Sequence, residues 1–298
     1  MTINKVVIAK GIYLDKELRL LVSFDEKDNA IDIINIDASK VGMKRLGKVE
    51  KVLKDIDASI LVFDNKEKGF IENKKLKSQE FIERHSENKK VCQGDSFYVC
   101  ISQDPKGTKP YSCNFCSENY EDRGVVAYYI HKFANKAKII TDIPNLQGLS
   151  DDVLYKDDQV SLWDLYEFTS ILNKSINKVA FLKNGGNILI EETEAMTVID
   201  VNSGKNYGKD NFLKTNILAA QKIAIELRRR SISGIIIVDF LKVSPKEEAQ
   251  IIEVLNSSFQ DDMSNVAIHG FTRLGLMEIT RSRIYAPISQ SIPTRIES

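Results

Sequence analysis

Two apolar runs in this chain each close on a carboxylate. "TVIDVNSGK" spans Thr197 to Lys205, and Asp200 interrupts a stretch otherwise suited to a buried strand. "GIIIVDFLKV" spans Gly234 to Val243 and does the same at Asp239. A buried carboxylate without a partner is costly, so something must compensate both. Between the runs lies an amphipathic helix over roughly 211 to 230, with Leu213, Ile217, Ala220, Ala224 and Leu227 on one stripe. The order strand, helix, strand favours a parallel pair joined by a right-handed crossover. Ligands gather at the carboxyl ends of such strands, where both aspartates lie. If the strands are neighbours the two anions converge, and they repel unless a cation sits between them. A hard divalent cation with oxygen ligands resolves this, and Mg²⁺ is the commonest choice. A plainer reading stays open: each carboxylate caps the next helix or accepts backbone N–H bonds.

The rest of the chain limits the alternatives. With 298 residues there is room for two or three modest domains, each with its own core. A hydrophobic share of 43% and a charged share of 28% are ordinary globular values. The net charge of zero gives no global field toward nucleic acid or membrane, although local basic patches can suffice. The start, "MTINKVVIAKGIYL", lacks the apolar core of a signal peptide, and no run reaches the roughly 20 residues of a membrane span. Four cysteines are too few for a secreted scaffold, so a cytoplasmic location is expected. Cys113 and Cys116 form a CxxC, but no second pair or nearby histidine completes a zinc set, and they read as ordinary thiols.

Residues 5 to 37 read as three antiparallel strands, "KVVIAKGIYL", "ELRLLVSFDE" and "AIDIINID". Residues 45 to 116 read as a small all-β unit with strands "GKVEKVL", "SILVFD", "KGFIE", "DSFYVCIS" and "KPYSCNF" at barrel-like spacing. A short helix is expected around "SQEFIERH". Beyond 120, "RGVVAYYIHKFA" and "LWDLYEFTSILNKSI" read as helices, "AKIITDI" as a strand, and "KNGGNILIEETEAMTVID" as a hairpin-like pair around Gly185 and Gly186. "SPKEEAQIIEVL" opens a helix with Ser244 as N-cap, Pro245 as the first helical residue and Glu247 closing a capping box. Its core stripe is Ile251 or Ile252, with Leu255 and Phe259, and "NVAIHGFTR" is the next strand. Basic residues add to the candidate site. Arg228, Arg229 and Arg230 end the helix between the aspartate strands, where they equally suit the helix dipole. Arg273, Arg281 and Arg283 follow the later strand and suit phosphate binding.

"GGNILIEETEAMTVIDVNSG", "NILAAQKIAIELRRRSISGIIIVDF" and "GFTRLGLMEITRSR" resemble, in order and spacing, the catalytic core of the ribonuclease E/G family. "LWDLYEFTSILNKSINKVAFLKNGG" is similar to the segment that leads into it, so the resemblance covers about 160 to 285. It implies an α+β multidomain chain: an RNase H-like fold (1–38 and 119–183, with the 5′-sensor reduced or absent), an inserted OB-type barrel (39–118) and a DNase I-like catalytic subdomain (184–298). It implies that Asp200 and Asp239 bind Mg²⁺ and that Asn202 supports the site. The implied reaction is metal-assisted hydrolysis of single-stranded, A/U-rich RNA, leaving a 5′-phosphate and a 3′-hydroxyl. "LGKVEKVLKDIDASILVFDNKEKGFIENKKL" looks like the family's barrel, and the resemblance puts Phe70 and Lys109 on RNA-facing positions, Lys109 in the last strand. The other RNA-facing aromatic falls on Val62 or Phe63, while Phe63 and Phe97 are expected to be barrel core. Arg273, Arg281 and Arg283 join the expected RNA contacts. The family also implies a homodimer through the catalytic core. The family's Arg-Thr motif for a 5′-monophosphate and its CPxC zinc-linker are not visible, so 5′-end sensing and a zinc-linked tetramer are not carried over. Two other readings compete: a non-catalytic RNA-binding relative, and an unrelated α/β metal enzyme acting on small phosphates.

Overall fold

The opening alternation becomes three strands, β1 (Ile3–Tyr13), β2 (Lys16–Asp25) and β3 (Ala30–Asn35), paired antiparallel in that order. Val6, Val7, Ile8 and Ala9 are all buried, so β1 is covered on both faces. The structure is a computed structural model and describes residues 2–76, 81–85, 90–122, 124–133, 137–146, 153–156, 159–204 and 211–294. The chain forms two units, one from Met1–Asn35, Ala134–Arg283 and Pro287–Ser298, the other from Ile36–Phe133 and Ile284–Ala286.

The second unit contains β4 (Lys44–Leu53), β5 (Ala58–Val62), β6 (Lys68–Glu72), β7 (Ser96–Gln103), β8 (Tyr111–Phe115) and helix α1 (Gly124–Phe133). The five strands close into a barrel in the order β4-β5-β6-β8-β7, with β6 and β8 parallel. Val49, Leu61, Phe63, Ile71, Phe97, Val99 and Ile101 fill it, so Phe63 and Phe97 are core as expected. The helix expected around "SQEFIERH" falls partly outside the described residues; within 81–85 there is no helix, and Glu83 instead bridges Ser96.

In the first unit β9 (Lys138–Thr141) and β10 (Val153–Tyr155) extend the opening sheet, giving the order β10-β9-β1-β2-β3 with β1, β9 and β10 mutually parallel. "LWDLYEFTSILNKSI" is two helices rather than the expected one, α2 (Leu162–Leu165) and α3 (Phe168–Ile176). Ser161 caps α2, and the break falls at Glu167, which takes a left-handed φ of 53°. Such a conformation costs a non-glycine residue about 1–2 kcal/mol. The turn brings Trp163 and Phe168 together at 5.3 Å in the same core, and that packing offsets the strain.

A six-stranded sheet follows: β11 (Val179–Phe181), β12 (Asn187–Glu192), β13 (Met196–Asn202), β14 (Gly234–Asp239), β15 (Val266–Phe271) and β16 (Leu276–Arg281), in the order β11-β12-β13-β14-β16-β15. The expected hairpin around Gly185 and Gly186 is β11–β12, and β12 pairs onward with β13. Helices α4 (Phe212–Arg229) and α5 (Pro245–Ser258) pack on one face through Ala220, Ile223, Ala224, Leu227, Ile251 and Leu255. The capping box of Ser244 and Glu247 forms as read from the sequence. A short helix, α6 (Ile288–Ser291), ends the described chain. Among the described residues no helix is long and apolar enough to cross a membrane.

Candidate functional site

Strands β13 and β14 are parallel neighbours, and Asp200 and Asp239 are register partners. Adjacent strands lie about 4.8 Å apart, so the two carboxylates start side by side. Their chain neighbours Ile199, Val201, Val238 and Phe240 are buried in the core under α4 and α5. Alternation therefore puts both aspartates on the opposite, open face. Asp200 is half-buried and Asp239 exposed, so the desolvation cost suggested by their apolar flanks is largely avoided. Asn202 donates from Nδ2 to Asp200 Oδ2 at 2.8 Å, which orients that carboxylate.

Backbone packing beside Asp200 explains the glycines in "NGG" and "NSG". A Cβ on Gly186 would lie 2.6 Å from the Asn202 carbonyl oxygen. One on Gly204 would lie 2.3 Å from the Gly185 carbonyl oxygen, and Gly204 has a φ of 63°. Only glycine permits this approach without displacing backbone. On the other side Asn216, fully buried on α4, donates to the Leu241 carbonyl at 2.7 Å and accepts from the Leu241 N–H at 3.1 Å. It fixes the chain two residues beyond Asp239. Sequence reasoning missed Asn216; the available signal was an amide on the apolar side of an otherwise regular helix. It also missed Glu278, whose strand neighbours Met277 and Ile279 are buried while Glu278 is exposed on the open face.

The arginines separate into two groups. Arg273 lies in the turn between β15 and β16, three residues before Leu276, the register partner of Asp239. It is exposed at the aspartate end of the sheet. Arg281 is the partner of Gly234, at the other end of β14, roughly 16 Å along the strand at 3.3 Å per residue. Its guanidinium is buried, paired with both oxygens of Asp262 at 2.8 and 3.0 Å, and donates to the Ile232 carbonyl at 2.8 Å. Arg283 follows at that same far end. These two positions depart from the sequence expectation because β16 runs away from the aspartates.

The triple arginine closes α4, the helix-end alternative of its two readings. Helix α4 returns antiparallel to the strands, so its last turn lies far from Asp200 and Asp239. Arg228 instead makes a buried two-point pair with Asp32 of β3, at 3.0 and 2.7 Å. Arg229, Arg230 and Lys222 all share the Glu226 carboxylate. Burial pushes the Glu226 pKa up, but the three cations outweigh it and hold the group below the ordinary carboxylate range.

In the barrel Phe70 is half-buried between the buried Gly69 and Ile71, so it projects outward from β6 rather than into the core. Lys109 is exposed but lies in the loop before β8, not in the last strand. It leads into Tyr111, which pairs with Gly69 beside Phe70. Tyr98 was missed: it too faces outward, and Lys44 Nζ sits 4.1 Å above its ring. Its signal was the alternation Phe97, Val99, Ile101. Cys113 and Cys116 are buried free thiols, and burial pushes Cys116 up to about 12.

Among the described residues no three His, Cys, Asp or Glu side chains cluster as a metal cage. Two carboxylates on neighbouring strands still form a hard oxygen donor set, and a hard cation held by one or two carboxylates keeps its other positions for water and phosphate. The residues present fit such an ion.

The sequence profile of the Ribonuclease E/G family matches residues 130–284, which contain the whole six-stranded sheet but not the barrel. Ribonuclease G of Haemophilus influenzae is 39% identical over 141 residues, 45% of this chain and 28% of that protein. The chloroplastic ribonuclease E/G-like protein of Arabidopsis thaliana is 35% identical over 166 residues, 49% of this chain and 17% of that protein. Ribonuclease E of a Nostoc species is 37% identical over 142 residues, 46% of this chain and 20% of that protein. The matched part thus spans under a third of each of these relatives.

Proposed function

The chain belongs to the ribonuclease E/G family, and from that premise we propose that it is an endoribonuclease that needs a divalent cation, Mg²⁺ foremost, and cuts single-stranded, A/U-rich RNA. The observation that carries this reading is the register of Asp200 against Asp239 on one open sheet face. A bound cation supplies Lewis acidity, which makes water acidic and offsets charge developing on the phosphoryl oxygens. Asp200 and Asp239 would hold it from the strand ends. Asn202 keeps Asp200 oriented, and the buried Asn216 steadies the backbone after Asp239. Arg273, exposed at the same end of the sheet, would meet a phosphate oxygen. Water adds to phosphorus as the bond to the 3′ oxygen breaks, leaving a 5′-phosphate downstream and a 3′-hydroxyl upstream.

The architecture supports the same reading. The sheet order β10-β9-β1-β2-β3, with β2 antiparallel to its neighbours, suits an RNase H-like part. The order β4-β5-β6-β8-β7 with β6 and β8 parallel suits an OB-type barrel, whose outward aromatics and lysines bind single strands. The sheet from β11 onward, with α4 and α5, is the DNase I-like catalytic part. Phe70, with Lys109 and Tyr98, forms the barrel's RNA contacts in this reading.

Incubation of the protein with an end-labelled A/U-rich RNA, with Mg²⁺ or with EDTA, tests it. Cleavage with Mg²⁺ to 5′-phosphorylated products, and none with EDTA, is the expected result. RNA bound but uncut with Mg²⁺ would favour a non-catalytic RNA-binding relative. Cutting that persists in EDTA would remove the cation from the reaction.

A further inference from the structure

The turn between β15 and β16 is held by its own hydrogen bonds. Thr272 donates from its N–H to the Leu276 carbonyl at 2.8 Å, and its carbonyl accepts from the Gly275 N–H at 2.9 Å. Its Oγ1 accepts from the N–H groups of Leu274 and Leu276 at 3.2 and 3.1 Å. Gly275, with a φ of 84°, is the left-handed residue that closes such a turn into a hairpin. At the foot of the turn Phe271 packs on Phe240, the residue after Asp239, with ring centroids 6.1 Å apart. The two tip residues are Arg273 and Leu274. Leu274 is 87% exposed, more than any other large hydrophobic side chain among the described residues. Exposure alone says little of a leucine. Its place says more. Leu276 is the register partner of Asp239, so the tip stands two residue rises, roughly 7 Å, past the row that holds both aspartates. A rigid apolar tip beside a cation matches the two parts of a nucleotide, the flat face of its base and its phosphate. Apolar side chains of this kind act as wedges between stacked bases. Parting the bases costs least in an unpaired strand.

We propose that Leu274 determines specificity: it seats one of the two bases that flank the scissile phosphate and parts it from its neighbour, while Arg273 meets the phosphate. The proposal rests on the RNA-cleaving reading above and adds a substrate contact to that same site. It ties the choice of unpaired RNA to one side chain, because a base held in a duplex stays stacked and meets the tip as an obstacle.

The test pairs a change in the protein with a change in the RNA. The full chain, as wild type, Leu274→Ala or Leu274→Phe, cuts a short single-stranded A/U-rich RNA at a mapped site with Mg²⁺. Two further RNAs lack, in turn, the base on either side of that site. Leu274→Ala should lower kcat/KM on the intact RNA about fivefold to tenfold, the loss of roughly half a buried leucine side chain. Removing the base that Leu274 seats should cost wild type a similar factor and cost Leu274→Ala nothing further, because base and leucine form one contact. Leu274→Phe keeps an apolar tip and should keep the dependence on that base. A merely structural leucine predicts that the two losses multiply. That result would overturn the proposal, and so would wild-type rates in Leu274→Ala. Sedimentation of the proteins covers a contact between two copies of the chain: a fall in mass for Leu274→Ala, with its dependence on the base intact, would overturn the proposal too. Failure of the wild-type chain to cut any RNA would overturn the RNA-cleaving reading together with this one.

Discussion

The aspartate sheet and the barrel hold their candidate residues in different ways. Asp200 and Asp239 sit in register on adjacent strands, with Asn202 bonded to one carboxylate and Asn216 bracing the backbone beyond the other. Glycines 186 and 204 let the neighbouring loop close against that site. Phe70, Tyr98 and Lys109 belong to three different segments of the barrel, and each projects outward on its own. In the proposed reading the two side chains of the sheet act as one unit, while the barrel's contacts add. Damage to the first should be all-or-none, and damage to the second graded. The family profile covers the sheet and stops short of the barrel, so the barrel's role rests on its own geometry.

The largest effect should come from breaking the pair. Asp200→Asn or Asp239→Asn should lower the cleavage rate by about 10³-fold, the loss of roughly 4 kcal/mol of charge stabilisation. The affinity for RNA in EDTA should stay at the wild-type value. Combining the two changes should add little, because either one already disables the shared site. A double variant slower by the product of the single losses would show that the two carboxylates act independently.

The frame that carries the sheet can be broken separately. Arg228→Ala leaves Asp32 as a buried carboxylate without its partner, which should cost about 3 kcal/mol in urea unfolding. Replacing both residues together by apolar ones should recover most of it. Acid should act on the neighbouring cluster. The folded pKa of Glu226 is depressed, so its contribution to stability is present above the unfolded value and is lost as pH falls through the folded one. Glu226→Gln should flatten the acid limb of a stability–pH profile, and an unchanged limb would count against the cluster as its source.

A smaller effect separates orientation from coordination. Asn202→Ala should slow cleavage about 10–100-fold at low cation and recover in part at high cation, as expected when a group that orients a ligand is lost. Arg281→Ala makes the contrast. Its guanidinium is bound to Asp262 at the far end of β16, so the change should lower the melting temperature and leave activity per folded molecule unaltered. A selective loss of activity in Arg281→Ala would bring that arginine back to the site.

These contrasts also show what the sequence made legible. The parallel aspartate strands, the crossover helix and the Ser244 capping box follow from short-range pattern, and the structure has all three. The aspartates looked buried because their neighbours are apolar, yet alternation puts neighbours and aspartates on opposite faces. The direction of β16 and α4 decided the fate of Arg228–Arg230, Arg281 and Arg283, and direction is a tertiary property that composition does not carry. Asp32, the partner of Arg228, lies 196 positions away in the chain, beyond any local signal. The break at Glu167 was hidden because the packing of Trp163 on Phe168, not local propensity, holds its left-handed backbone.

The smallest effect tests the barrel side. Phe70→Ala should raise KM for a long RNA and change kcat much less, since in the proposed reading the ring binds substrate, and it lies outside the aspartate sheet. Loss of one stacked base costs roughly 1–3 kcal/mol, and the half-buried ring points to the lower end, about a fivefold to tenfold rise. Tyr98→Ala should add a comparable loss, and the two should combine nearly additively because the residues stand on strands that do not pair with each other. The melting temperature should shift little, because the buried neighbours Gly69 and Ile71, not Phe70, line the barrel core side of β6. A core role for the ring predicts the reverse: early melting with normal RNA affinity at low temperature. A loss confined to kcat would break the contrast between the two regions, because it would make Phe70 part of the chemical step.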